Sequence, residues 1–204
     1  MELDFLLNKF KDEIKPLLDS RQLLLNDKSN WNEYDTYYES TFCQLSKEWM
    51  NIRNGIITSS VMYNFLYPRE FDPSTELDKY KMYVGITEED NIREWYSDRI
   101  GKQIRKAGAV VLKECNYFMG SPDGIIDENE IIEIKVTFKN KVTNIPSWHK
   151  YQMMCNMFYS NRKKCHYINY SVKDEDCFID ILEYDDKFLK EEILRKFLRK
   201  YLKM

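Results

Sequence analysis

After Gly108 the apolar residues stop recurring at a helical spacing and begin to alternate, and this change of period constrains the fold more than any other feature of the chain. Segments 109–117, 124–127 and 130–137 read as three successive strands, the last two joined by a turn at Glu128-Asn129. Residues 147–160 then have a helical pattern, 164–171 and 177–183 a strand pattern, and 186–203 an amphipathic helical one. That last segment is apolar at Phe188, Leu189, Leu194, Phe197, Leu198 and Tyr201, a stripe that could cover a neighbouring copy but is better suited to the protein's own core. Upstream, residues 3–15 read as a helix ending near Pro16, and residues 33–52 as a second, aromatic-rich helix. Thr58-Ser59-Ser60 reads as a cap for a short helix through Leu66, stopped by Pro68. Thr87 and Asp90 form a helix-start box opening a helix from Glu88 to about Lys102. The expected assembly is an α/β (α+β) single domain over 1–204 with a central mixed sheet flanked by helices. Residues 1–48 would form a helical N-terminal extension, and 186–203 a C-terminal amphipathic helix.

Composition narrows the class. The chain is 43% hydrophobic and 32% charged with a net charge of −3, an ordinary balance for a soluble protein. No apolar run approaches the roughly 20 residues that span a bilayer. The start, Met1-Glu2-Leu3-Asp4, lacks a secretory pattern, so the expected compartment is intracellular and cytoplasmic. Cys43, Cys115, Cys155, Cys165 and Cys177 form no CxxC pair, and only His149 and His166 could supplement them. This pattern argues against a zinc or iron–sulfur site, and the cysteines read as buried free thiols. The stretch Lys187–Lys203 is basic and Asp72–Asp98 acidic. Net charge argues neither for nor against a nucleic-acid substrate, because metal ions can supply positive charge at a cleavage site.

The segment Gly120-Ser-Pro-Asp-Gly-Ile-Ile-Asp-Glu-Asn-Glu-Ile-Ile-Glu-Ile-Lys135 carries chemistry. Side chains of a strand alternate faces, so Glu133 and Lys135 share one face while Ile132, Ile134 and Val136 share the other. Asp123 begins the preceding strand at a sharp turn between Pro122 and Gly124. Pairing 124–127 with 130–137 brings Asp123 toward Glu133 and Lys135 at one edge of a sheet. Two neighbouring carboxylates repel unless a cation joins them, and such oxygens suit Mg²⁺. A bound divalent ion eases deprotonation of a water, which a neighbouring lysine can orient or activate for attack on phosphorus. Alone, Glu-Ile-Lys is also the ordinary alternation of an exposed strand. Ser-Pro-Asp-Gly, ten positions upstream, makes the pattern specific.

The combination resembles the PD-(D/E)XK nuclease superfamily, and more closely its lambda-exonuclease and YqaJ-like viral recombinase (alkaline exonuclease-like) branch. The likeness runs from about Trp49 to Tyr170. Trp49-Met-Asn-Ile-Arg-Asn-Gly-Ile-Ile-Thr-Ser-Ser60 resembles the family's W-x-x-x-R-x-G-x-I-T-A-S opening. Gly85-Ile-Thr-Glu-Glu-Asp-Asn-Ile-Arg93 resembles its G-x-x-x-E helix, and Tyr151-Gln-Met-Met-Cys-Asn-Met-Phe158 its Q-x-Q-x-x-M helix. One departure is Met154, which stands where the family has its second Gln.

The resemblance implies a restriction-endonuclease-like core and roles for matching positions. Asp123, Glu133 and the backbone carbonyl of Ile134 would hold one Mg²⁺ (Mn²⁺ as a substitute), and Glu89 would help hold a second ion. Lys135 would serve the attacking water, completing a catalytic set of Asp123, Glu133 and Lys135. Arg53, Ser60, Ser121 and Gln152 would bind a terminal 5′-phosphate, and Arg69 would contact DNA if one preceding residue is deleted. Outside the resemblance, Arg53 reads as closing a helix C-terminus, Ser60 as a cap, and Glu88 and Glu89 as acidic residues of a first helical turn.

The implied activity is 5′→3′ exonuclease digestion of linear double-stranded DNA in recombination or DNA processing, in a virus, phage or its host. The implied partners are double-stranded DNA, a single-strand annealing protein and two further copies in a trimeric ring. An endonuclease or an RNase of the viral host-shutoff type would use the same residues, and a nuclease fold kept only for binding would not need the complete Asp123, Glu133, Lys135 set.

Overall fold

In the computed structural model, which describes residues 2–54, 56–68 and 75–204, helices pack around two four-stranded sheets. The chain begins with α1 (Glu2–Glu13) and α2 (Lys15–Leu25). Pro16 does end the first helix, but it also opens the second, since a first-turn N–H needs no helical partner.

Residues 33–52, expected to be helical, instead contain β1 (Trp31–Glu33), β2 (Tyr37–Ser40) and the short α3 (Lys47–Arg53). Tyr34 and Tyr37 stack at 4.5 Å across the turn of this hairpin. β2 pairs with β3 (Val110–Leu112), which pairs with β4 (Met119–Gly120), giving an antiparallel sheet in the order β1-β2-β3-β4. The aromatics that looked like a helical face fit a pleated, half-buried surface, where cross-strand pairing overrides helical spacing. The hairpin thus belongs to a sheet and is no helical appendage.

α4 (Ser59–Leu66) starts where expected, with Thr58 as its cap residue, but no side chain caps it. The expected start at Glu88 is displaced: α5 is a single helix over Glu76–Ile100. Its capping box is Thr75 with Asp78, and it ends at Gly101, whose φ of 62° suits a residue without a Cβ. Thr87 lies mid-helix and donates its hydroxyl to the Tyr83 carbonyl at 3.0 Å. The first half of α5 exposes Leu77, Tyr80, Met82 and Tyr83, so no buried stripe marked it in the sequence.

The second sheet has the order β5-β6-β7-β8, formed by β5 (Gly124–Ile125), β6 (Glu130–Thr137), β7 (Lys164–Ser171) and β8 (Asp176–Glu183). β6 and β7 run parallel, and α6 (Ser147–Tyr159) connects them; the other pairs are antiparallel. The expected single mixed sheet is two because Ser121-Pro122-Asp123 separates β4 from β5, and Pro122 has no N–H to carry a ladder onward.

Ile132 and Ile134 lie under Ile92 and Tyr96 of α5, while Ile131, Tyr167 and the methionines of α6 fill the larger core on the opposite face. The C-terminal stretch is α7 (Asp186–Phe188), a π-helical segment Leu189–Leu194 and α8 (Arg195–Tyr201). Leu189, Phe197 and Leu198 are fully buried there, so the apolar stripe covers the protein's own core as expected. Cys115, Cys155 and Cys165 are buried free thiols, whereas Cys43 is exposed and Cys177 half-buried. Among the described residues no helix is long and apolar enough to cross a membrane.

Candidate active site

The parallel register of β6 on β7 sets Glu133 opposite Tyr167 and Lys135 opposite Asn169, with both β6 side chains on the face turned to α6. Glu133 is completely buried and Asp123 is 7% exposed. Asp123 is held by its backbone and its carboxylate together. Its N–H donates to the Ile132 carbonyl at 3.1 Å, and its Oδ2 accepts from the Ile134 N–H at 2.6 Å. The Lys135 ammonium ion-pairs with Glu133 and stands 3.9 Å from Asp123 Oδ2. Ile134, between Glu133 and Lys135, buries its side chain beneath α5.

The electrostatics follow from this crowding. Burial first, and then the charge of Asp123, push the Glu133 carboxyl up to about 8, against the attraction of Lys135. Burial opposes the charge on Lys135, but Glu133 and Asp123 outweigh it and hold that ammonium above the usual lysine value. Glu89 is raised to about 7 by burial and by Asp123, with Arg93 opposing. His149, at the start of α6, falls to about 3 through burial and the charge of Lys135, and its Nδ1 lies 2.7 Å from the Tyr167 hydroxyl.

Buried carboxylates with raised pKa values describe a site with surplus negative charge, and hard oxygen donors of this kind fit a divalent cation. Among the described residues no cluster of three or more His, Cys, Asp or Glu side chains stands ready at metal-binding spacing. The carboxylate of Glu89 is instead turned to Arg93, 2.7 Å from its Nη2. The side-chain oxygens beside Lys135 are therefore those of Asp123 and Glu133, with Glu89 one ion pair away.

Two residues that the sequence reading did not single out organise this centre. Arg93, 6% exposed, donates from Nε to the Asp123 carbonyl at 2.8 Å while its Nη2 holds Glu89, so it ties α5 to the Pro122–Gly124 turn. Asn156, fully buried on α6, donates from Nδ2 to Glu133 Oε2 at 3.1 Å. Arg93 carried a signal in its spacing, four residues after Glu89 and thus on the same helical face. Asn156 carried a comparable one, four residues after Gln152.

Beside Asp123 lies a cleft of about 130 Å³ lined by Arg53, Ser60, Ser121 and Gln152, together with Gln44, Trp49 and Ser59. It is smaller than the roughly 300–1,000 Å³ of sites for drug-sized ligands, and suits one compact group. The Arg53 guanidinium lies 4.0 Å over the Trp49 ring and donates to Thr58 Oγ1 at 3.3 Å and Ser60 Oγ at 3.2 Å. Trp49 Nε1 in turn donates to Ser121 Oγ at 3.1 Å. The hydroxyls of Thr58 and Ser60 thus face Arg53 and each other rather than the helix start. Gln44 donates to the carbonyls of Ala107 and Pro122 at 3.1 and 3.0 Å, bracing the turn that carries Asp123. Met154 is 1% exposed in the core, so the position of the family's second Gln does not reach this cleft. Arg69 lies outside the described residues. A larger cleft of about 420 Å³, lined by Trp95, Arg99 and Tyr170 among others, contains none of these groups.

Residues 63–163, from within α4 to the residue before β7, match the family model of the YqaJ-like viral recombinase domain. No curated protein matches the sequence. Among solved structures, the alkaline exonuclease LHK-Exo from Laribacter hongkongensis superposes with a TM-score of 0.61 at 20% identity, covering 78% of this chain and 91% of that one. The complex of LHK-Exo with dAMP superposes with a TM-score of 0.64 at 19% identity over the same shares. At such identity the superpositions establish a shared fold. The matched segment, which carries Asp123, Glu133 and Lys135, is similar to the YqaJ-like viral recombinase domain, and the chain shares the fold of LHK-Exo.

Proposed function

We propose that the protein is a metal-dependent exonuclease that digests linear double-stranded DNA in the 5′→3′ direction during recombination or DNA processing. The observation that carries this reading is the adjacency of two sites through one residue: Asp123 belongs to the carboxylate–lysine centre and also lines the Arg53 cleft. A compact pocket with one arginine, next to a hydrolytic centre, suits a chain end better than continuous duplex.

In this reading Asp123 and Glu133 would hold Mg²⁺ or Mn²⁺, with the Ile134 carbonyl as a further ligand. Glu89, whose carboxylate is paired with Arg93, would help hold a second ion. Such ions, when bound, would supply positive charge at the scissile phosphate and make a water easier to deprotonate. Lys135, kept charged by its two carboxylate neighbours, donates a hydrogen bond that orients the attacking water and offsets charge building on the phosphate. Arg53 receives the terminal phosphate with two parallel N–H groups, while Ser60, Ser121 and Gln152 contribute neutral donors. The Trp49 ring supports the guanidinium from beneath. A trimeric ring around DNA, a strand-annealing partner and an intracellular location belong to the same proposal.

The deciding experiment is a time course on end-labelled linear duplex with Mg²⁺, with and without a 5′-phosphate, beside closed circular DNA and RNA. Mononucleotide release from phosphorylated linear ends supports the reading. Cleavage of closed circles would make the protein an endonuclease, and cleavage of RNA alone a ribonuclease.

A further inference from the structure

α6 offers two amides to one side of the molecule, and they are four residues apart rather than two. Gln152 lines the Arg53 cleft; Asn156, one turn later on the same helical face, reaches Glu133. Residue 154 between them is core. We propose that Asn156 is a positioning residue for the metal centre, holding the Glu133 carboxylate in the orientation that receives the cation; this inference rests on the metal-dependent reading above.

Three observations point the same way. First, Glu133 Oε2 has Asn156 Nδ2 as its hydrogen-bond donor, while Oε1 is engaged by Lys135. The Asn156 amide is the contact that would remain on Glu133 when a cation displaces the Lys135 ammonium from the carboxylates. Outer contacts of this type fix the direction of a ligand's lone pairs and are typically worth about 10–100-fold in metal affinity.

Second, the arrangement is costly to fold. Asn156 Oδ1 is buried without a hydrogen-bond partner, and an apolar side chain of similar shape would avoid that penalty. A polar group kept at a loss of stability in a core otherwise made of Met153, Met154, Cys155 and Met157 calls for a role beyond packing.

Third, the backbone opposite makes room for it. A Cβ at Gly120 would stand 2.2 Å from Asn156 Oδ1, so the glycine that opens Gly-Ser-Pro-Asp permits the amide to occupy its place. The same motif thereby supplies Asp123 as a ligand and the space for the residue that orients Glu133.

The test uses full-length protein without DNA. Mn²⁺ binding is titrated calorimetrically and by electron paramagnetic resonance for wild type, N156L, E133Q and the N156L/E133Q double variant, with thermal melting of each metal-free protein. N156L is expected to weaken Mn²⁺ binding about 10–100-fold while melting no lower than wild type. In the E133Q background N156L is expected to add nothing, because Asn156 acts through Glu133. N156S, which is smaller and cannot overpack the site, is expected to weaken binding as N156L does, and decides the matter should N156L prove unstable. Wild-type affinity in N156L or N156S, or equal losses with and without Glu133, overturns the role of Asn156. Failure of wild type itself to bind Mn²⁺ overturns the metal-dependent reading and this inference with it.

Discussion

The main-chain N–H of Ile134 donates to the carboxylate of Asp123 at 2.6 Å, so the turn before β5 and the middle of β6 are locked by a contact between a backbone group and a functional side chain. The lock explains how Asp123 reaches Lys135, twelve residues later, from the turn before a strand of only two residues. The carboxylate that would hold a cation also closes the hairpin.

Both carboxylates are expected to be indispensable for cleavage and dispensable for folding. Asp123→Asn retains an oxygen that can accept from Ile134, and Glu133→Gln retains one for Asn156, but each removes a negative metal ligand. Mg²⁺-dependent nucleotide release should fall to background in either variant, with circular dichroism unchanged. Near-normal release from either would remove the centre assigned here.

Lys135→Ala is expected to slow the chemical step far more than it weakens DNA binding. A group that orients the attacking water and stabilises the transition state typically contributes about 10²–10⁴-fold. Single-turnover rates at saturating enzyme, compared with equilibrium binding to the same duplex in Ca²⁺, separate the two. A normal rate with weak binding would recast Lys135 as a phosphate anchor.

The Arg53 cleft predicts substrate preference. Charge-assisted hydrogen bonds are worth about 1.5–3 kcal/mol each, so Arg53→Ala should cut the preference for 5′-phosphorylated over 5′-hydroxyl ends by about 10–100-fold. Arg53→Lys keeps the charge but loses the planar fork and its stacking on Trp49, so it should recover only part of the preference. A strong native preference that survives Arg53→Ala would make the residue structural.

Stability without metal should depend on pH through Glu133. Its folded-state pKa of about 8 lies above the ordinary 4.5, so the folded protein binds the proton more tightly than the unfolded chain does. The resulting stabilisation is complete below about pH 4.5 and is lost as pH rises through about 8. Between pH 5 and 8 the metal-free wild type should therefore lose melting temperature relative to Glu133→Gln. Mg²⁺ should restore the wild type and leave the variant unmoved. Parallel melting curves across that range, in chelator, would show that Glu133 carries no buried charge to relieve.

Much of this site could be read before any coordinates. The turn chemistry of Ser121-Pro122-Asp123-Gly124 and the alternation of Glu133, Ile134 and Lys135 are local facts, and β6, α6, β7 and β8 lie within a residue or two of where periodicity puts them. Local pattern suffices there because each element buries one continuous face, so its apolar spacing records its own geometry. Elsewhere the deciding contacts are remote in sequence. Residues 31–40 carry aromatics compatible with a helix, and become strands because β3, some seventy residues later, offers a partner edge. α5 runs a dozen residues before the expected start because its own capping box, and no buried stripe, begins it. The assembly of Gln44, Arg93 and Asn156 around Asp123 and Glu133 brings together the loop before α3, the middle of α5 and the interior of α6. Residue types and short spacings by themselves determine which groups can do chemistry. Which neighbours hold those groups is decided by packing, because a hydrogen bond between side chains on different elements leaves no periodic trace in the sequence.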